Sequence, residues 1–411
     1  MTVREPIRQR ANPLESARMN PSAAPPATTV PVLLVATATK WPGTARIPRA
    51  LSRVGFEVSL LAPHGSLAEH SRYIDRIAYL PEASTPLQWV YAFAAMVAAT
   101  SPRLAIPCDD MALRLMQRLA VAPPPQLKST HALRLAALVR TSLGDPAHFE
   151  TTSDKTLLAD AARALEIGIP PSLVCRRLDD ALAFADAHGW PMVVKRAHGF
   201  AGQGIAICAD RASLGDAFAR LADDERRDRI EANAGDPALV VQPLVRGPTQ
   251  YYMGVAWQGR LLAGYAGEKV VANPHPNGPP TVARYFRSPR LREITARLLH
   301  GFSVTGFFVA EFRVDEASSE PLLLELTRRM SPVTHRSADR GVDLCAALHA
   351  ELCGTVSPSR VDLDDGENGY VVFFPGEWLR DPQSTWLRRQ PVDVPWDEPE
   401  LLAALMKLRL E

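Results

Sequence analysis

The first uninterrupted run of apolar positions is Val32-Leu33-Leu34-Val35-Ala36, followed by Gly43, a helical stretch to Val54 and a second apolar run from Val58 to Leu61. Apolar runs of this length, joined through a helix, predict parallel strands buried on both faces. A short strand near Ile77 to Leu80, a helix from about Pro86 to Ala99 and the strand Leu104 to Ile106 continue the alternation. Residues 30–125 are therefore expected to form an open α/β domain. Pro123-Pro124-Pro125 breaks the chain before a helix reaching about Leu143, and 126–171 reads as a helical connector. From Ser172 to Gln242 the order is strand, helix (Asp179 to His188), strand (Met192 to Lys195), glycine-rich turn, strand (Ile205 to Cys208), helix (Ala212 to Leu221), strand (Leu239 to Gln242). Residues 242–355 are rich in strand patterns, and 356–411 reads as an appended region ending in a helix. Residues 1–29, rich in Ala, Pro, Arg and Ser without apolar periodicity, are expected to be a disordered extension.

Composition narrows the class. A chain of 411 residues exceeds what one hydrophobic core supports, so several subdomains are expected. With 46 basic against 45 acidic side chains there is no field to draw a nucleic acid or an anionic membrane, which favours small-molecule partners. No apolar stretch is long enough to span a bilayer and the N-terminal arm lacks a secretory core. The five cysteines are scattered, with no Cys-x-x-Cys pair, which fits a reducing cytoplasm. Lysine is scarce: it stands only at 40, 128, 155, 195, 269 and 407. Either a lysine in this chain is placed for a specific purpose rather than as generic surface charge, or the bias reflects GC-rich coding.

Three stretches carry candidate chemistry. Cys108-Asp109-Asp110 follows the Leu104 strand at the carboxyl end, where open α/β sheets place ligands; Asp110 equally suits the N-cap of a Met111 to Leu119 helix. Pro191 to Ile205 is a strand ending in Lys195 that runs into a turn with Gly199, Gly202 and Gly204. Such glycines let backbone N–H groups converge on an anion while the lysine neutralises it, although a plain hairpin has the same pattern. A strand, not a helix, follows the glycines, so neither a P-loop nor a dinucleotide turn is indicated. The third stretch is a pair of strands, Gly306 to Val314 and Pro321 to Arg329, around a polar turn. Hairpin pairing about Ser318 sets Glu311 opposite Glu325, and like charges placed so among Phe, Val and Leu call for a cation between them. Alternation places Glu325, Thr327 and Arg329 on one face, a carboxylate, hydroxyl and guanidinium suited to Mg²⁺ and phosphate. The alternative is two glutamates on a solvated face.

Taken together, residues 30–355 resemble the ATP-grasp superfamily, which includes D-alanine:D-alanine ligase, biotin carboxylase and the large chain of carbamoyl-phosphate synthase. Asp154-Lys155 at a helix head and Gly168-Ile169-Pro170-Pro171 are similar to the start of the family pattern. The resemblance implies an α/β (α+β) ATP-grasp fold behind an N-terminal open parallel α/β domain, with 172–241 as lid and 242–355 as catalytic subdomain. It implies Lys155 and Lys195 on the ATP phosphates, Gly199, Gly202 and Gly204 in the loop above them, and Gln242, Pro243 and Leu244 in the adenine hinge. It also implies Glu311, Glu325 and Thr327 as ligands of Mg²⁺ (or Mn²⁺), with Arg329 and Lys195 catalytic. Thr327 departs from the family's asparagine, Gln242 from its hinge acid and Thr249 from its ribose-binding acid.

The activity so implied is ligation of a small-molecule carboxylate to an amine or thiol through an acyl phosphate, releasing ADP and phosphate. A biotin-carboxylase or carbamoyl-phosphate type of carboxylation and a non-catalytic nucleotide sensor are the alternatives. A homodimer is left open. The loop from Glu268-Lys269 to Tyr285 is a candidate for the acceptor pocket or for plain surface, with Arg284 or Arg287 as candidate carboxylate binders.

Overall fold

The structure is a computed structural model that describes residues 8–9, 28–81, 84–199, 202, 204–228, 235–274, 278–364, 366 and 368–408. It contains three sheets. The first holds β1 (Arg8–Gln9), β2 (Val30–Val35), β3 (Phe56–Pro63), β4 (Arg76–Leu80) and β5 (Leu104–Pro107), in the order β1-β4-β3-β2-β5. β2 to β5 are parallel and β1 is antiparallel on β4. The expected disordered extension otherwise lies outside the described residues, apart from residues 28 and 29.

Burial explains why β2 is apolar at every position. Leu33 and Val35 face the helices Pro86–Thr100, Asp110–Val121 and Ser129–Leu143, while Val30, Val32 and Leu34 enter a different core. That second core also contains Tyr251, Met253, Val255 and Phe307 from the largest sheet. The α/β domain and the largest sheet thus share one continuous apolar interior, which fixes their relative position.

The second sheet lies in the segment that the resemblance assigns to the lid: β6 (Leu173–Cys175), β7 (Met192–Arg196), β8 (Ile205–Cys208) and β9 (Leu239–Pro243), all antiparallel in the order β6-β9-β7-β8. Met192, Val194 and Val241 pack beneath the helices Leu178–His188 and Arg211–Arg227. Alternation therefore turns Val193, Lys195 and Gln242 to the other face. The third sheet, which carries the segment expected to be catalytic and is called the catalytic sheet for that expectation, comprises β10 (Thr249–Trp257), β11 (Arg260–Ala272), β12 (Pro280–Phe286), β13 (Gly306–Val314), β14 (Pro321–Thr327) and β15 (Asn368–Val372), antiparallel in the order β14-β13-β10-β11-β12-β15.

The region after residue 355 is integrated into this framework. β15 pairs with β12, and the chain then returns to the α/β domain. Asp397 binds Arg49 (2.7 Å) and Tyr73 (2.8 Å), Glu398 accepts from Ser71, and the buried Asp393 lies 3.6 Å from Arg46. Leu401 and Leu405 pack on Ala45 and Leu67. Among the described residues no helix is long and apolar enough to cross a membrane.

Candidate active site

Lys155 is held at three points. Asp154 caps the helix Lys155–Ala164 by accepting the amide of Thr156 at 2.7 Å, and the Lys155 amide donates to Ala197 O at 3.1 Å. The ammonium then reaches Gly199 O (3.2 Å) and Glu325 (3.5 Å), so it spans the glycine turn and the catalytic sheet. The turn is anchored beneath by Glu225, which accepts from His198 Nδ1 at 2.8 Å and lies 3.7 Å from Arg196. Burial alone would raise the Glu225 carboxyl, but the His198 hydrogen bond and Arg196 hold it below the usual range. Gly202 and Gly204 adopt φ near +80°, and a Cβ on Gly204 would meet the Arg196 side chain at 2.6 Å, so both conformation and space require glycine there.

Lys195 projects from β7 toward the catalytic sheet and is 6% exposed. Among the described residues no carboxylate lies within ion-pairing distance of it. Burial and then the field of Lys155, opposed by Glu325 and Glu311, bring its pKa down to about 8.

Glu311 and Glu325 are directly opposed in the β13–β14 register. The register holds from Val309–Thr327 to Glu311–Glu325, and then a bulge leaves Leu324 without a partner. The cation demanded by two facing carboxylates is supplied twice. Lys155 lies against Glu325, and Lys269 of β11 is 2.6 Å from Glu311. Lys269, expected in a loop, stands on β11, and its ion pair with Glu311 is a long-range contact made across β10. Thr327 Oγ1 donates to Glu325 at 3.4 Å, so it orients that carboxylate. Among the described residues no group of three or more His, Cys, Asp or Glu side chains is placed to hold a metal ion, so the carboxylates available to a metal here are the two glutamates.

Asp109 and Asp110 have opposite assignments to those the sequence suggested. Asp109 is the N-cap, accepting from Ala112, and it also accepts from Thr37 and the Ala38 amide, pinning the loop after β2. Asp110 reaches out to Arg329, receiving Nε and Nη2 at 3.0 Å each. Burial works against the Arg329 cation, but Asp110 more than compensates and raises its pKa.

The hinge differs from expectation in one respect. Pro243 has no N–H, and the Leu244 amide already donates to Pro191 O at 2.9 Å, so neither of these residues has an N–H to donate to a base edge. Thr249 and Gln242 line the cleft with Lys155 and Lys195. The space directly between these side chains measures about 50 Å³, and further cavities that share Lys155, Lys195, Lys269 and Glu325 with it adjoin it. A cavity of about 490 Å³ lies behind the glycine turn and carries mixed charge from Arg114, Arg176, Glu150 and Asp154. Arg284 pairs with Glu268 (2.9 Å), and neither it nor Arg287 lines the cavity beside the glutamates. His275, Pro276 and Asn277 of the candidate acceptor loop lie outside the described residues, as do Phe200, Ala201 and Gln203 of the glycine turn.

A parallel α/β domain, an antiparallel four-stranded sheet and a larger antiparallel sheet, with lysines and paired glutamates at the junction, give this chain an ATP-grasp fold. The family described as carbamoyl-phosphate synthase L chain, ATP binding domain, matches residues 154–251. The mitochondrial carbamoyl-phosphate synthase [ammonia] of Aquarana catesbeiana is 20% identical over 182 residues, 44% of this chain and 12% of that protein. The arginine-specific carbamoyl phosphate synthase large chain of Eremothecium gossypii is 35% identical over 75 residues, 18% of this chain and 7% of that one. The chain thus corresponds to about an eighth or less of the length of these relatives. Among solved structures, the biotin carboxylase domain of Hydrogenobacter thermophilus 2-oxoglutarate carboxylase, in complex with MgADP, ADP and bicarbonate, superposes with a TM-score of 0.61 at 15% identity, covering 82% of this chain and 73% of that one. The L-amino acid ligase of Bacillus licheniformis gives 0.56 at 14% identity, covering 79% and 74%.

The Asp110–Arg329 pair gives a direct test of what ties the α/β domain to the site. Asp110→Ala leaves a buried guanidinium unpaired and is expected to lower unfolding stability by about 3 kcal/mol, whereas Asp110→Ala with Arg329→Met recovers a large part of the loss. Urea denaturation of the four proteins of the cycle measures the coupling.

Proposed function

We propose that this chain is an ATP-dependent ligase that activates a carboxylate as an acyl phosphate and transfers the acyl group to an amine or thiol. The observation that carries the reading is convergence: Lys155 from the connector, Lys195 from the lid, and Lys269, Glu311 and Glu325 from three elements of fold line one cleft. Three cations and two facing carboxylates suit a triphosphate with its divalent metal better than they suit a neutral ligand.

In this reading Val193, Ile205 and Ile207 of the lid offer the base an apolar surface, with Gln242 beside it. Lys155 and Lys195 hold the phosphates, and the amides of Gly199, Gly202 and Gly204 fold over them. The fit of Mg²⁺ rests on the opposed glutamates, whose lysine partners stand where a cation is needed; Glu311 and Glu325 would hold it, with Thr327 beside Glu325. Mg²⁺ so bound would neutralise charge on the phosphate oxygens. Arg329, fixed by Asp110, faces the same end of the cleft and steadies the transferring group. An oxygen of the substrate carboxylate attacks the γ-phosphorus, and the bond from that phosphorus to the β–γ bridging oxygen breaks, releasing ADP. The acceptor then attacks the acyl carbon, phosphate leaves, and the acceptor's proton passes to solvent. The chain itself supplies positioning and charge, with no covalent intermediate on a side chain.

Product analysis decides the reaction class. With a suitable acid, chromatography is expected to show ADP and phosphate, and hydroxylamine is expected to trap a hydroxamate; AMP and pyrophosphate would overturn the acyl-phosphate reading.

Metal binding is checked by thermal denaturation. Mg²⁺ with nucleotide at a hundredfold excess over Kd should add about 2.7 kcal/mol to the wild type, and Glu325→Gln should lose most of the metal-dependent part.

The depressed pKa of Lys195 adds a signature. Free, it titrates near 8; phosphate oxygens raise that value, so between about pH 8 and 9 nucleotide binding takes up a proton. Calorimetry in buffers of different ionisation enthalpy should show fractional uptake in the wild type and none attributable to this site in Lys195→Met, whose affinity falls about 10- to 100-fold.

A further inference from the structure

Two consecutive arginines leave the end of β14 for different parts of the molecule. Arg329 goes to Asp110 of the α/β domain, whereas Arg328, 2% exposed, goes to the connector. Its Nη1 donates to Thr152 Oγ1 at 3.0 Å, its Nη2 donates to Leu143 O, and its guanidinium carbon lies 5.6 Å from the centroid of the Phe149 ring. Among the described residues no carboxylate stands within ion-pairing distance of it, and its Nε is buried without a partner. Burial brings its pKa down to about 10, which leaves it a cation at neutral pH.

A cation in such a place is costly, since an apolar side chain would fill the same space without losing hydration. Three features of the connector offset the cost. Leu143 is the last residue of the 15-residue helix Ser129–Leu143, so its carbonyl stands at the negative end of the helix dipole. The Phe149 ring offers the electronegative face of an aromatic. Thr152, in the short helix Phe149–Ser153, donates its own hydroxyl proton to His148 O at 2.7 Å, which leaves the Oγ1 lone pairs to accept from Arg328.

The place of this bond relative to the cleft gives it a function. Thr152 stands three residues before Lys155, and Arg328 three residues after Glu325, so the buried bond and the Lys155–Glu325 ion pair join the same two segments at successive points. Lys155 and Glu325 line the cleft; Thr152 and Arg328 do not, and each is 2% exposed. A magnesium-bound nucleotide in the cleft would take Lys155 with its phosphates and Glu325 with its metal, and the 3.5 Å ion pair between them would be given up. We propose that Arg328 is a positioning residue whose bond to Thr152 persists when that ion pair opens, and so keeps Lys155 at its distance from the paired glutamates in the bound state. The inference rests on the nucleotide reading for what opens the ion pair, while the clamp itself stands on the contacts above.

The clamp is tested at the hydroxyl, because removing the guanidinium would empty a buried site and endanger folding. Binding of a non-hydrolysable ATP analogue with Mg²⁺ to the full chain is measured by calorimetry for the wild type, Thr152→Val and Thr152→Ser, each also in the Lys155→Met background, with melting curves to verify folding. Thr152→Val is expected to weaken binding about tenfold, the scale of a lost hydrogen bond to a charged group, and Thr152→Ser, which keeps the hydroxyl, less than about twofold. In the Lys155→Met background the further effect of Thr152→Val should shrink to less than about twofold, because the clamp has no lysine left to place. Arg328→Lys, which keeps the charge but loses the two-pronged geometry, is an independent variant with the same expected pattern as Thr152→Val. Unchanged affinity in Thr152→Val and Arg328→Lys, whatever their melting temperatures, or equal weakening with and without Lys155, would overturn the inference while leaving the nucleotide site standing. Absence of analogue binding by the wild type would overturn the nucleotide reading, and the inference with it.

Discussion

Two carboxylates held face to face among apolar strands are an unstable arrangement unless positive charge reaches them, and this requirement organises the centre of the molecule. Glu311 and Glu325 recruit lysines from two other elements, one at the head of a connector helix and one on a strand two places away in the sheet. Lys155 in turn grips the glycine turn of the lid through Gly199 O. The electrostatic need of one hairpin is thereby transmitted to the lid, and the three lysines are poised over a common space.

The α/β domain contributes to that space in two ways. Its sheet shares a core with the catalytic sheet, which sets the distance between them, and Asp110 extends a carboxylate to hold Arg329 in place. Its neighbour Asp109 is occupied with the Thr37 hydroxyl and with the amides of Thr37, Ala38 and Ala112, fixing the loop that carries Trp41. Adjacent aspartates thus serve two different scales of organisation, one local and one between domains.

Local patterns were the legible part of the sequence. Apolar runs gave the parallel strands and the lid elements, and hairpin arithmetic about Ser318 gave the opposed glutamates because pairing across a short turn depends only on spacing. Contacts between distant segments were not legible. Nothing in spacing reveals that Lys269 meets Glu311, since β10 separates their strands and 42 residues separate them in sequence. The Asp110–Arg329 pair spans 219 residues. Of two adjacent aspartates, one caps and the other bridges, and the choice depends on where a remote arginine arrives. The hinge pattern does not show that the Leu244 amide is spent on Pro191 O, because that bond continues the β7–β9 pairing beyond Met192–Pro243.

The edge position of β15 has a bearing on biosynthesis. β12 ends at Phe286 and its covering strand begins at Asn368, so the ribosome must add roughly 80 further residues before that edge can be paired. At about 5–20 residues per second this is a delay of roughly 4–16 s, during which the nascent catalytic sheet presents an open row of N–H and C=O groups. The apolar positions Val282, Ala283 and Tyr285 flank that row. Translation speed over the intervening segment, and any chaperone that occupies the edge meanwhile, therefore bear on the yield of folded protein as directly as any contact in the finished molecule.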